Sequence, residues 1–433
     1  MSYSAVVAKL QNVRKHPNAD KLQLALVRGY QIVVGLDDKE GALGVFFPCD
    51  GQLSDEFCTK NDLYPRVDAA GKRAGGFIDP VKRRVRSQKF RQEKSEGYWV
   101  PLHFFDYTGV WPLEKFGGYE ELPVEGFEFT ELKGHPICNK YMTKATQEAL
   151  AKKNKKKGAR RETTMFLAHI ETEQFRKHIA DIKGTVTLIF TEKLHGTSQR
   201  YGHVLHDDPL PLWKRILNKV GFDLQPAQSW QHIIGTRNVI VGPTCAHEPF
   251  REKVVEKIKG QLHKGETLYF EVVGWMGEGT IMPVQDTSKM QDKEVAKRYG
   301  PKMVYSYGCA EGTCEMYVYR ITHTGLDGHA IELPWVQVKA RCRGLGIKHV
   351  PELCPTELLH EFDLVCQTLV QERVASLVDG ASTLDPKHVR EGVCIRSEQD
   401  SGLVVLKEKS FIFKVLEGIA KEDEQVVDLE EVS

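Results

Sequence analysis

The sequence has no apolar run long enough to span a bilayer. Its first residues, "MSYSAVVAKLQNVRKHPNAD", lack the charged start and apolar stretch of a secretory signal. A soluble intracellular chain, cytoplasmic by default, is therefore expected. CxxC pairs are missing too. Ten cysteines are scattered, and the nearest neighbours, Cys309 and Cys314, have no second pair at zinc-finger spacing. Reduced thiols are expected, with neither disulfides nor a structural zinc. Nor is there an excess of charge of either sign: 60 basic against 59 acidic residues leave a net charge of +1. Overall charge thus gives no argument for or against nucleic acid, and local clusters must decide. No internal repeat is present.

A chain of 433 residues can form two or three domains, each with its own core. Up to about residue 110, short β-rich segments such as "QLALV", "YQIVVGL", "ALGVFFP" and "GYWVPL" alternate with Asp, Gly and Pro turns, the pattern of a small barrel or sandwich. Among them "KRRVRSQKFR" alternates bases with Val85 and Phe90. It suits a charge-protected edge strand or a phosphate-tracking surface. The basic, apolar-poor run over residues 151 to 161 suits a linker or mobile arm. It divides an N-terminal domain, residues 1 to 150, from a C-terminal domain over 162 to 433. Beyond it "TVTLIF", "NVIVG", "TLYFEVVGW" and "MYVYRI" read as strands, and "REKVVEKIKGQL" and "PTELLHEFDLVCQTLVQERVASLV" as amphipathic helices. This is an α+β pattern. Loop insertions are expected around 203 to 232 and 276 to 303. His203, His206 and His232 fall in the first, without a recurring ligand spacing, and read as surface histidines.

The chemistry starts at "TEKLHGTSQR", where Lys193 closes an apparent buried strand and Gly196 follows. Alone, this is a solvated strand end. Five further polar elements follow in order: "GTRN" with Arg237, "LYFEVVGW" with Glu271, "MYVYRI" with Tyr319, "REGVCIR" with Glu391, and "LKEKS" with Lys407 and Lys409. Lys407 and Lys409 are two apart and share one face of a strand. Glu271 lies among apolar strand residues, where an unpaired carboxylate is costly. Together they supply what nucleotidyl transfer needs: an amine nucleophile, two carboxylates able to hold a divalent metal, cations for phosphate, an aromatic face for a purine and a glycine that lets a phosphate come close.

The ordered set Lys193-Leu-His-Gly196, Glu271, Tyr319, Glu391-Gly392 and Lys407-x-Lys409 resembles the motif series of the covalent nucleotidyltransferases, the polynucleotide ligases and mRNA capping enzymes. "EKLHGTS", with His where DNA ligases usually have Asp, is more similar to RNA ligases. "NVRKHPNADKLQLALVRGYQIVVG" and "RVRSQKFRQEKSEGYWVPL" resemble the OB domain that precedes the transferase domain in RNA ligases joining 3'-OH and 5'-phosphate ends. "HPNADKL" also resembles the OB-type tRNA-binding domains of synthetases. The pattern departs from the family's at Arg320, where an acidic residue often follows the stacking aromatic.

The resemblance implies an OB-like, nucleic-acid-binding β-barrel followed by an ATP-grasp-like adenylyltransferase domain of antiparallel sheets and helices. The implied activity is ATP-dependent RNA ligation through Lys-AMP and RNA-adenylate, with Mg2+ or Mn2+. Lys193 would be the nucleophile, with Lys407 and Lys409 on the α-phosphate. Glu192 and Gly196 would shape the nucleotide pocket, Arg237 the ribose side and Arg176 the phosphates. Tyr319 would stack on adenine, with Tyr317 as a second candidate, and Glu271 and Glu391 would hold the metal. The alternatives are a DNA ligase, a GTP-using capping-type enzyme, or a non-catalytic tRNA- or RNA-binding adaptor.

Overall fold

A computed structural model describes residues 3–67, 71, 73–110, 124–155, 165–170, 172–208, 210–221, 224, 227–237, 239–241, 249–290 and 292–422. The chain forms two compact units. One runs to Ala145 and also takes the helix Phe411–Glu422, and the other runs from Thr146 to Ser410. Of the expected basic linker, residues 151 to 155 end the helix Lys144–Lys155. Residues 156 to 161 and the acidic tail beyond 422 lie outside the described residues. Among the described residues no helix is long and apolar enough to cross a membrane.

The N-terminal unit is β-rich. Glu128–Phe129, Ala5–Lys9, Leu43–Pro48 and Gly97–Pro101 form one sheet in that order, and Gln11–Lys15, Gln23–Val27 and Tyr30–Val34 form a three-stranded meander. Strand alternation sends Val6 and Ala8 into a core with Val27, Ile32, Phe46 and Trp99. It sends Ala5 and Val7 into another with Val45, Phe47, Phe57 and Phe105. Burial on both faces explains why "AVVA" is continuously apolar. No closed barrel appears among the described residues, where the strands are split between separate sheets.

"HPNADKL" has a structural job in this unit. The Asn18 N–H donates to His16 Nδ1 at 3.0 Å, which leaves His16 Nε2 to donate to the Phe90 carbonyl at 3.1 Å, while Asn18 Nδ2 donates to the Arg91 carbonyl at 2.9 Å. The motif pins the hairpin of Gln88–Phe90 and Glu93–Ser95. The basic stretch is divided by the fold. Arg86 and Arg91 are exposed. Arg84 is buried: it pairs with Asp50 Oδ1 at 2.5 Å and donates to the Gly418 carbonyl at 2.6 Å. Arg84 thus ties the helix Phe411–Glu422 into the unit.

The second unit holds two large sheets, beside a two-stranded pair of Gln285–Asp286 and Lys302–Met303. One orders Glu173–Gln174, Gly402–Lys409, Gly392–Gln399, Val186–Lys193 and Glu357–Leu359, and the other runs Ile240–Val241, Gln228–Gly235, Thr197–Asp207, Glu266–Met276, Cys314–Thr324 and Ala330–Glu332. The helix Leu364–Val378 buries Val370, Val374 and Val378 at successive turns in one core with Val186, Leu188 and Phe190. It is shorter than its sequence pattern suggested. Glu357–Leu359 pairs with the Val186 strand, and the Asp363 carboxylate caps the helix by accepting from the Cys366 N–H at 2.7 Å. The expected loop over 203 to 232 is mainly two paired strands and the helix Leu212–Lys219. His203 and His232 face one another across the strands with rings stacked at 4.3 Å, because the pairing continues through the polar stretch.

Removing the Arg84 guanidinium leaves the Asp50 carboxylate and the Gly418 carbonyl without it. Arg84→Ala is expected to destabilise the N-terminal unit by about 3 kcal/mol, more than Arg86→Ala, whose side chain is exposed. Urea unfolding followed by tryptophan fluorescence checks the difference.

Candidate active site

The segment Leu194–Gly196 carries the chain from one sheet of the second unit to the other, since the strand ending at Lys193 belongs to the first and the strand starting at Thr197 to the second. A cavity of about 170 Å³ opens here. Its lining includes Glu192, Lys193, Gly196, Arg237, Glu271, Tyr319, Glu391 and Lys407. Residues up to about 215 positions apart in sequence therefore meet at one cavity, as nucleotidyl transfer requires.

Strand register sets the centre of the cluster. Lys193 lies opposite Gly392, which lies opposite Lys409, across three adjacent strands. Glu391, 1% exposed, accepts a hydrogen bond from Lys193 Nζ; its Oε1 is also 3.8 Å from Lys409 Nζ and its Oε2 3.8 Å from His195 Nδ1. Lys407 lines the cavity, while Lys409 reaches the cluster through Glu391. Glu408 between them points to the opposite face by alternation, and there its Oε2 is 3.5 Å from Arg176 Nε. Arg176 is not among the lining residues, so the structure does not bring it to the cavity.

Both motif glycines answer to close backbone approach. A Cβ at Gly196 would lie 2.4 Å from the Val272 carbonyl oxygen and 2.8 Å from Glu271 Cγ. One at Gly392 would lie 2.0 Å from the Glu408 carbonyl oxygen. At Gly196 the space that a side chain would need belongs to the Glu271 strand. Glu271 stands opposite Ser198, whose hydroxyl donates to its Oε2 at 3.0 Å. Glu192 shares the parity of Val186, Leu188 and Phe190, and its Oε2 accepts from the Thr383 N–H at 2.8 Å and hydroxyl at 2.6 Å.

A bulge separates the two tyrosine candidates. Tyr269 pairs with Arg320 but Phe270 with Val318, so Tyr319 is an extra residue in its strand. Tyr319 and its neighbour Arg320 both line the cavity; Tyr317 does not, and Lys348 Nζ lies 5.5 Å from its ring centre. The Tyr319 hydroxyl is 2.6 Å from His169 Nε2. Arg320 is buried, with Nε 2.9 Å from both Glu332 oxygens and its guanidinium 4.2 Å from the Tyr269 ring centre. The departure from the family pattern at 320 is thus a buried ion pair in the cavity wall.

Sequence reasoning missed His169, Trp335 and Arg396, which also line the cavity. Arg396 Nε donates to Glu398 Oε1 at 2.7 Å, and the same oxygen accepts from the Trp335 N–H at 2.6 Å. "CIRSE" carried the alternation that could have placed Arg396 on the Lys407 side of the sheet. "FLAHIE" gave no signal for His169. Burial, then Arg237, Arg320 and Arg200, pushes the His169 pKa down to about 3. Burial also raises the Cys394 thiol beside Lys193 to about 11, which keeps it protonated and unreactive.

A family model described as RNA ligase matches residues 186–416, more than half of the chain. The chain belongs to the RNA ligase family. The match includes Lys193, Glu271, Tyr319, Glu391 and Lys407, though not His169. Among solved structures, the ligase is similar to variants of Naegleria gruberi RNA ligase with AMP and Mn (17% identity, TM-score 0.56) and with ATP and Mn (16%, TM-score 0.55), each covering 95% of this chain and 98% of that one. The Naegleria gruberi ligase with PPi is 16% identical over 98% of this chain and 99% of that one, with a TM-score of 0.53. At such identities the likeness shows a shared fold. Among curated proteins none matches.

The depressed His169 pKa makes stability pH-dependent. An unfolded histidine takes up a proton near 6.5 and the folded one only near 3, so stability is fully present above about 6.5 and is lost as pH falls towards 3. The ligase's melting temperature is expected to drop between pH 7 and pH 4 by more than that of His169→Gln. Equal drops would place the pH dependence elsewhere.

Proposed function

We propose that the protein is an ATP-dependent RNA ligase that joins 3'-OH and 5'-phosphate RNA ends in three in-line displacements. Lys193 Nζ attacks the α-phosphate of ATP, forming an N–P bond as pyrophosphate leaves. The RNA 5'-phosphate oxygen then takes AMP from Lys193. Finally the 3'-OH attacks the adenylated 5'-phosphate, forming the phosphodiester and releasing AMP. The observation that carries this reading is the hydrogen bond from Lys193 to the buried Glu391 carboxylate at the edge of a cavity also lined by Lys407 and Arg237. The amine must lose a proton to attack, and the positive charge of Lys407 and Lys409, two strands away in the same sheet, favours its neutral form. Lys409 can then pair with Glu391 or with phosphate.

Tyr319 would stack on the adenine, its ring angle set through the His169 contact. Lys407, Lys409 and Arg237 would meet the phosphates and ribose. Arg176, committed to Glu408, would act by holding the Lys407 strand. Among the described residues no three His, Cys, Asp or Glu side chains gather into a metal-binding group. Of the three glutamates lining the cavity, Glu192 is held by Thr383, and the other two suit a hard cation that keeps several waters and shares phosphate oxygens. Glu271 and Glu391 are thus the residues that would hold Mg2+ or Mn2+, which would supply charge neutralisation at the phosphates. An OB-like role in RNA binding for the N-terminal unit is supported by its β-rich sheets and its exposed bases.

A non-catalytic adaptor is disfavoured, since a carboxylate 1% exposed, paired with Lys193 and 3.8 Å from Lys409, is costly to retain without use. A capping-type activity would transfer GMP, and label from GTP in place of ATP would favour it.

Lys193→Ala is expected to abolish covalent labelling by ATP labelled at the α-phosphate. Lys193→Arg should be equally inactive, because a guanidinium stays protonated. Retained labelling in either variant contradicts the assignment. Tyr319→Ala should raise the ATP concentration for half-maximal adenylylation about 10-fold. Tyr319→Phe should do so less, keeping the ring but losing the His169 contact. The same two changes at Tyr317 leave the requirement unchanged.

A further inference from the structure

The turn at residues 306–309 puts a tyrosine where turns of its kind normally take glycine, asparagine or aspartate. The Cys309 N–H donates to the Ser306 carbonyl at 3.0 Å, and both central residues, Tyr307 and Gly308, have positive φ, 51° and 73°. Positive φ at both central positions is the requirement of a type I′ turn, and a bulky aromatic residue is strained there. Asp385 holds the strained turn in place. Its Oδ2 accepts from the Ser306 hydroxyl at 2.7 Å and from the Gly308 N–H at 3.3 Å, so one carboxylate oxygen brackets Tyr307 in the chain. Its Oδ1 accepts from the Lys387 N–H at 3.1 Å, which anchors the carboxylate in its own loop.

The side chain that this turn presents reaches the crossing between the two large sheets. Tyr307 is 3% exposed, its ring packs on His388 at 4.5 Å, and its hydroxyl accepts from the His195 N–H at 2.6 Å. Burial holds the phenol well above its ordinary pKa, so the hydroxyl stays neutral. The crossing has strand pairing at each end, with Lys193 opposite Gly392 and Thr197 opposite Val272, and Tyr307 supplies a hydrogen bond between them. Tyr307 does not line the cavity, so it can act on a nucleotide there only through the crossing. The loop of Asp385 also carries Thr383, which donates to Glu192. Residues 382–389 therefore hold the chain on both sides of Lys193: Glu192 directly and His195 by way of Tyr307.

We propose that Tyr307 is a positioning residue for adenylylation: its hydroxyl, set by Asp385, holds the His195 amide and so aims the Lys193 amine at the α-phosphate of ATP. The inference rests on the reading of Lys193 as the nucleophile. It explains why a tyrosine occupies a turn position that its backbone disfavours.

The test compares full-length wild type, Tyr307→Phe and Ile258→Val by rapid-quench measurement of Lys-AMP formation over a range of ATP concentrations. Tyr307→Phe keeps the ring and its packing and removes one oxygen. It is expected to lower the maximum rate constant about 10-fold and to leave the half-saturating ATP concentration unchanged. Amide exchange followed by mass spectrometry should quicken at residues 194–197 in the same variant. Ile258 is fully buried in the same unit but outside the cavity lining. Ile258→Val should lower the melting temperature about as much as Tyr307→Phe, with the rate constant unchanged. Adenylylation of Tyr307→Phe at the wild-type maximum rate overturns the inference, as does an equal slowing in Ile258→Val or a raised ATP requirement with no loss of maximum rate. A wild type that forms no Lys-AMP overturns the ligase reading and the positioning role with it, whereas a labelled wild type lets the positioning role fail alone.

Discussion

A carboxylate buried to 1% exposure must be compensated, and Glu391 is compensated by Lys193 with Lys409 nearby. Uncompensated, it would cost on the order of several kcal/mol. Both lysines reach it only if the three strands keep the register Lys193, Gly392, Lys409. Gly392 is the residue that register demands, since the Glu408 backbone occupies the place of a Cβ. A shift of one residue would turn both lysines to the other face. The ion pair, the strand register and the glycine are therefore one constraint, which also fixes where a nucleotide phosphate can meet an amine.

From that fixed point the rest of the cavity follows through backbone geometry. Leu194–Gly196 crosses between the sheets, and Gly196 lets the crossing lie against the Glu271 strand. The bulge in the Cys314–Thr324 strand brings both Tyr319 and Arg320 to the cavity. Arg320 is neutralised by Glu332 in the wall, so a cation stands there without adding an unpaired charge. The N-terminal unit uses the same device, with Arg84 buried against Asp50.

Much of this was legible in the residues. Strand alternation placed Lys407 and Lys409 together, and the ordered charged motifs gathered eight of the ten chosen site residues around one cavity. Arg176 escaped because its partner Glu408 is distant in sequence and no local pattern pairs them. Tyr317 stood as a second candidate beside Tyr319 because of regular alternation, which the bulge breaks. His169 was invisible, since its place depends on long-range contacts with Tyr319 and Tyr269. The basic stretch from Arg83 to Arg91 read as one stripe, but the fold buries Arg84 and leaves Arg86 exposed. In the loop expected over 203 to 232, polar composition masked a strand pairing supplied by the neighbouring strand.

The central claim is that Lys193 is the amine that carries AMP. Its most direct test is to incubate the intact protein with ATP and a divalent metal, digest it, and locate the adduct by tandem mass spectrometry. AMP in phosphoramide linkage to Lys193, released when pyrophosphate is added, is the predicted result. AMP on Lys407, Lys409 or any other side chain, or no covalent AMP under conditions where RNA ends are sealed, would contradict it.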